Sequence, residues 1–245
     1  MSAHRRDGPR SDVHEEALGI LEEAAARGVM LRATGGVAVS LRCPSSARPP
    51  LERPYKDIDL VGMASQRREI NSLLTELGYH ENQEFNLLHG RNRLLYWDTR
   101  NGRRLDVFLD RIVMCHALEL KGRLSLDELT LPPADLLLTK LQVVETNESD
   151  LGDAAALLLD CEIEGGRVAQ VLADDWGWWR TATGVLSKIE AYCGSLPGFT
   201  EASLLSTRIR ALEEWIDAHP KSLRWKARAR IGDRVRWYVL PEEEL

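Results

Sequence analysis

Several absences narrow the reading of this 245-residue chain. No apolar run reaches about 18 residues, the least expected of a membrane-spanning helix, so no membrane association is expected. The opening stretch MSAHRRDGPRSD carries charge but no apolar segment, so it does not read as a secretory signal. A disordered lead-in over 1–12 is expected instead. The four cysteines, Cys43, Cys115, Cys161 and Cys193, form no CxxC pair, which argues against a zinc site and a disulfide framework. A reducing cytoplasm fits that cysteine usage. There are no internal repeats and no low-complexity tract. With a net charge of −6, the whole chain is not built to attract nucleic acid. The charge is uneven, however: residues 221–236, KSLRWKARARIGDRVR, sum to +6, leaving −12 for the rest.

What is present is an ordinary globular composition, 44% apolar and 29% charged, enough for a sizeable core. Apolar spacing predicts helices over 13–28, 65–79, 134–146 and 148–161. Strands are predicted over 29–34, 57–63, 85–90, 93–99 and 103–110, with Asn101-Gly102 as a hairpin turn. Gly35-Gly36 ends the first strand, and VAVSLR reads as a helix leading away from it. The Pro- and Arg-rich stretch 43–55 reads as a loop. From about Arg167 the pattern is helical, with GSLPGFT (194–200) as its main break. The fold class expected is therefore α/β (α+β): a mixed sheet with flanking helices over 13–130, then a mainly helical domain over 131–245.

Asp57 and Asp59 are two residues apart in the stretch DIDLVGM, so a strand points both to one side while Ile58 and Leu60 point to the other. Two carboxylates on one face repel each other, and burying them unpaired costs several kcal/mol. A divalent cation relieves both problems, since Mg²⁺ binds through one or two carboxylates and leaves positions for phosphates. Asp106, flanked by Leu105 and Val107 in another strand, is a third such carboxylate. If the two strands are neighbours, the three groups converge, enough for two Mg²⁺ ions in an in-line displacement at phosphorus. The simpler reading is that each aspartate holds a turn amide or one of the nearby arginines.

Thr34-Gly35-Gly36, then Asp57-Ile58-Asp59, then Asp106 resembles the motif order of the nucleotidyltransferase superfamily built on the polymerase-beta fold. The block ADLLLTKLQVVETNESDLGDAAALL (134–158) resembles the helical segment of AbiEii-like toxin nucleotidyltransferases, with Lys140, Asp150 and Asp153 at the matching positions. The resemblance covers roughly residues 30–160. It departs from the family in a longer gap between Gly36 and Asp57 and in a glycine where many members carry Ser.

The resemblance implies an enzyme that uses ATP or another NTP and two Mg²⁺ ions. It moves a nucleoside monophosphate to a hydroxyl acceptor and releases pyrophosphate. Gly35 and Gly36 would hold the phosphates at a helix start. Asp57, Asp59 and Asp106 would bind metal, and Arg53, Lys56 and Lys140 would contact the nucleotide. The acceptor class stays open between tRNA, another protein and a small molecule such as an aminoglycoside. Oligomeric state is not legible.

Two other function classes are weighed. One is a non-catalytic binding or antitoxin-type protein on the same fold, against which the complete aspartate set speaks. The other is an RNA-binding module led by the basic segment with Trp225 and Trp237, where a solvated helix face is the simpler reading. Cys115-His116 reads as core packing rather than half of a thiol dyad, and the tryptophans of DDWGWWR (174–180) read as core or interface.

Overall fold

The computed structural model describes residues 8–240. The chain divides into two compact units. One runs up to Leu41 and includes Pro54–Ile112 and Glu119–Pro132; the other comprises Arg42–Arg53, Val113–Leu118 and the chain from Pro133 onward.

The first unit is built in the order α1 (Val13–Ala26), β1 (Leu31–Thr34), α2 (Gly35–Arg42), β2 (Ile58–Gly62), α3 (Arg67–Glu76), β3 (His80–Glu81), α4 (Gln83–His89), β4 (Arg93–Asp98) and β5 (Arg103–Leu109). Asp12 caps α1, accepting from the backbone N–H of His14 and Glu15. Of the expected lead-in, residues 1–7 lie outside the described residues; at 9–11, Asn101 Nδ2 donates to the carbonyl of Pro9 at 3.3 Å and Arg103 to that of Ser11 at 2.6 Å.

The five strands form one mixed sheet in the order β1-β2-β5-β4-β3. β2 and β5 run parallel, and the other pairs are antiparallel. One face carries Leu31, Ala33, Ile58, Leu60, Leu105, Val107, Leu94 and Tyr96, all buried with Ile70, Leu73 and Leu74 of α3 and Ala17 and Ile20 of α1. Burial of these side chains from water is the main stabilising term of the unit. The opposite face carries Thr34, Asp59, Arg104, Asp106, Arg93 and Trp97 by the alternation of strand side chains. β6 (Arg111–Val113) and β7 (Ala117–Glu119) pair as a separate two-strand ribbon.

One strand expectation fails. Residues 85–90 lie mostly in α4, not in a strand. Asn82 caps the helix, its side chain accepting from Phe85 N at 3.0 Å. Buried Asn86 then serves β4 as a strand neighbour would: Oδ1 accepts from Leu95 N at 2.7 Å and Nδ2 donates to Leu95 O at 3.3 Å. The leucines that suggested a buried strand, Leu87 and Leu88, are exposed.

The second unit is helical: α5 (Pro133–Leu141), α6 (Glu148–Asp160), α7 (Gly165–Asp174), α8 (Trp176–Ser195), α9 (Ala202–Ala218) and α10 (Leu223–Ala229), with a short 3-10 turn at Pro44–Ala47 packed on α6. α5 is shorter than the predicted 134–146, ending at Leu141. The helical pattern predicted from Arg167 to the end stops at α10, beyond which Gly232–Arg234 forms a 3-10 turn. Ala154 to Leu158 in α6, Leu172, Leu186 and Ile189 form the core of the unit. No helix among the described residues is long and apolar enough to cross a membrane.

Candidate functional site

The polar sheet face of the first unit holds Asp59 and Asp106 of the predicted site residues, with Asp57 just before β2 and Gly35 and Gly36 at the start of α2. Thr34 of β1, Asp59 of β2 and Asp106 of β5 lie side by side in register across three adjacent strands. Residues in register share a face, so both carboxylates project from the same side of the sheet. Asp57 sits one residue before β2 and is exposed. Its Oδ1 accepts from Arg104 N at 3.4 Å, which ties it to the start of β5. The predicted strand over 57–63 is thus shorter, and Asp57 lies at its mouth.

Gly35 begins α2 directly after Thr34, with φ +65°. That left-handed conformation favours glycine. A Cβ added there would overlap Asp59 Oδ2 and lie 2.9 Å from its Cγ. The Asp59 carboxylate therefore packs against the backbone at the start of α2. Gly36 follows in the helix with no positive φ. Thr34 Oγ1 is buried and has no hydrogen-bond partner among the described residues.

Asp106 is nearly buried and gripped from two sides. Arg93 Nε donates to its Oδ1 at 2.7 Å, and Arg104 Nε to its Oδ2 at 2.8 Å. Arg93 also lies over the rings of Phe85 and Phe108, at 5.6 and 5.2 Å from their centroids. The sequence reading missed both arginines. Arg104 stands two residues before Asp106, so strand alternation puts both on one face, a signal that was available. Arg93 faces Phe108 across the β4–β5 hairpin, a relation visible only once the hairpin register is known.

Lys56 is exposed and lines a cleft of about 360 Å³ with Ser11, Asp12, Tyr55, Asn101 and Arg103. Arg53 and Lys140 belong to the helical unit, where Asp153 joins them. Arg53 Nε and Nη2 donate to Asp153 Oδ1 and Oδ2 at 3.1 and 2.7 Å. Lys140 Nζ lies 2.9 Å from Asp153 Oδ2 and 3.1 Å from Asp150 Oδ1. Burial pushes the Lys140 pKa down, but Asp153 and Asp150 outweigh it and the net direction is upward. The cap of α6 is Asn147, whose side chain accepts from Asp150 N at 2.8 Å.

The basic segment and the tryptophans meet in the helical unit. Trp176, Trp179, Trp225 and Trp237 pack on one another with ring centroids 5.3–6.3 Å apart. Arg228 lies 4.8 Å over the Trp176 ring and donates to the carbonyls of Gly232 and Val235. The rings are used largely on each other, as packing. His116 stacks on Trp178 and its Nε2 lies 2.9 Å from Thr181 Oγ1. Burial lowers its pKa to about 4, against a small opposing effect of Asp175.

Among the described residues, no three His, Cys, Asp or Glu side chains are grouped to cage a metal ion. The donor set fits a different mode, in which Mg²⁺ is held by one or two carboxylates and by substrate phosphates. Asp57 and Asp59 would supply the carboxylates, and the Gly35 backbone and the orphaned Thr34 hydroxyl stand beside Asp59.

No family model matches the chain, and no curated protein does. Similar solved structures include the lincosamide antibiotic adenylyltransferase LnuA bound to lincomycin, at 14% identity and a TM-score of 0.40 over 60% of this chain and 98% of that one. The antibiotic-resistance factor ANT(2'')-Ia is similar at 15% identity and a TM-score of 0.38, over 83% and 96% of the two chains. An antigenic nucleotidyltransferase-like protein from Paracoccidioides brasiliensis is similar at 14% identity and a TM-score of 0.40, over 88% and 96%.

Proposed function

We propose that the chain is a Mg²⁺-dependent nucleotidyltransferase that moves a nucleoside monophosphate from an NTP to a hydroxyl acceptor and releases pyrophosphate. The observation that carries this reading is the alignment of Asp59 with Asp106 across adjacent parallel strands, with Gly35 backbone packed on Asp59. Purely structural aspartates need neither a shared face nor a left-handed glycine beside one of them.

In this reading Asp57 and Asp59 hold the metal, which supplies charge neutralisation at the triphosphate when bound. The N–H groups of Gly35 and Gly36 at the start of α2 bind phosphate oxygens. Arg93 and Arg104 orient Asp106 and place two guanidinium groups on the same face. They suit the spread negative charge of a phosphoryl group during transfer. Asp106 is the third carboxylate of the centre and faces the acceptor hydroxyl. Lys56, beside Asp57 in sequence, is a further phosphate contact.

The test is pyrophosphate release from each of the four NTPs with Mg²⁺, in the presence of tRNA, protein or aminoglycoside acceptors. The reading expects release with one NTP and one acceptor class, and none from Asp57→Ala/Asp59→Ala. Release that survives the double substitution would overturn it.

A further inference from the structure

The four cysteines are far apart in sequence, yet two of them touch. Cys43 Sγ and Cys161 Sγ lie 3.7 Å apart across 118 residues of chain. Both belong to the helical unit. We propose that Cys43 and Cys161 form a reversible oxidation site, a thiol pair that closes to a disulfide when a peroxide reaches Cys161.

The backbone on either side of the pair is already fixed. Ser45 N and Ser45 Oγ both donate to the Asp160 carboxylate at 2.7 Å, one and two residues from the thiols. Ser46 N and Oγ return to the Cys43 carbonyl at 3.0 and 2.7 Å, closing the turn. Cys161 N donates to Leu157 O at 3.0 Å, ending α6. The two sulfurs are therefore held in contact from both sides, and a bond of about 2.0 Å asks them to approach by about 1.7 Å.

The two thiols are unequal. Cys43 is wholly buried, while Cys161 is partly exposed. The Cys161 thiol is made more acidic by its hydrogen bond with Cys43 and then, against its own burial, by the positive charge of Arg42; the Cys43 pKa moves upward. The accessible thiol is thus the one that ionises first, as a peroxide-sensitive cysteine requires.

The chemistry balances in two steps. The Cys161 thiolate attacks one peroxide oxygen, the O–O bond breaks, and the departing alkoxide or hydroxide takes a proton, leaving a sulfenic acid on Cys161. The Cys43 thiol then attacks that sulfur. The S–S bond forms, the S–O bond breaks, and hydroxide leaves with the Cys43 proton as water. Two thiols and one peroxide yield a disulfide, an alcohol or water, and a second water. A thiol reductant reverses the change, as expected of a transient cytosolic disulfide. The bond would tie the segment carrying Arg53 to α6, whose Asp153 already holds Arg53 at 2.7 Å.

The experiment uses the full chain, reduced, freed of reductant and exposed to one equivalent of hydrogen peroxide. Remaining thiols are alkylated and peptides mapped without reduction. The expected result is one linked peptide pair holding Cys43 and Cys161, lighter by two hydrogen atoms and released by dithiothreitol, with a higher Tm for the oxidised protein. In Cys43→Ser, dimedone should label Cys161; in Cys161→Ser, Cys43 should stay reduced. A link to Cys115 or Cys193, over-oxidation of Cys161 with Cys43 alkylated, or four alkylated thiols would overturn the proposal. The wild-type map decides alone if a serine variant fails to fold.

Discussion

The Asp59 carboxylate fills the space that the missing side chain of Gly35 leaves open. Gly35 also holds φ +65°, so its glycine is required twice, by conformation and by contact. Alanine there costs about 1–2 kcal/mol for the left-handed backbone alone, and the overlap with Asp59 adds to it. Gly36 lies in α2 without the left-handed φ. Gly35→Ala should lower Tm and weaken Mg²⁺-dependent NTP binding, while Gly36→Ala should do less of both. Thermal melts and binding titrations of the two variants check the ranking.

In the proposed mechanism Asp106 acts in turnover rather than in NTP binding. Asn in its place keeps the shape between Arg93 and Arg104 but removes the charge they grip. Losing one preorganised electrostatic group of this kind slows turnover by about 100-fold or more. Asp106→Asn should therefore lose pyrophosphate release while NTP affinity, set by Asp57 and Asp59, changes little. A loss of affinity as large as the loss of rate would assign Asp106 to nucleotide binding instead.

Asp153 is the shared anion of Arg53 and Lys140 and is almost fully buried. Removing its charge takes from Arg53 and Lys140 the anion they share, with Asp150 still beside Lys140, and breaking a buried pair costs about 3–5 kcal/mol. Asp153→Asn should destabilise the helical unit by that order in urea unfolding. Lys140→Met, which leaves Asp153 with Arg53, should cost less. A weakening of NTP binding in a folded Lys140→Met protein would give Lys140 the nucleotide-binding role that the family resemblance implies. The Lys140 pKa is raised in the folded state. The stability it contributes is therefore full below its unfolded pKa of about 10.4 and disappears as pH rises through the folded value.

His116 acts in the opposite pH range. Its folded pKa is lowered to about 4 by burial. The unfolded chain takes up its proton near pH 6.5, so the stability from neutral His116 is present above that value. It is lost as pH falls toward 4, a change of about 3 kcal/mol at about 1.4 kcal/mol per pKa unit. Urea midpoints of the helical unit at pH 7 and pH 5 capture about 2 kcal/mol of it, and His116→Gln should flatten the dependence.

The mixed sheet followed by helices was legible because its periodic segments were long and well bounded. The Asn101-Gly102 hairpin formed as predicted, with Gly102 at φ +62° and Asp98 Oδ1 accepting from the N–H of Arg100 and Asn101. α4 was not legible, because a short run of leucines reads alike as strand or helix, and Asn86 decides the matter through a contact nine residues away. Alternation put Asp57 and Asp59 on one side, but that Asp106 shares the face of Asp59 and that Arg93 grips it depended on strand pairing and register. The Cys43–Cys161 contact was invisible, since nothing local marks a pair 118 residues apart.

The most direct measurement is calorimetric titration of each NTP, with and without Mg²⁺, into wild type and Asp57→Ala/Asp59→Ala. The account predicts that one NTP binds wild type only with Mg²⁺ and does not bind the double variant. Equal binding to a folded double variant, or binding indifferent to Mg²⁺, would contradict the claim that these two carboxylates hold metal against a triphosphate.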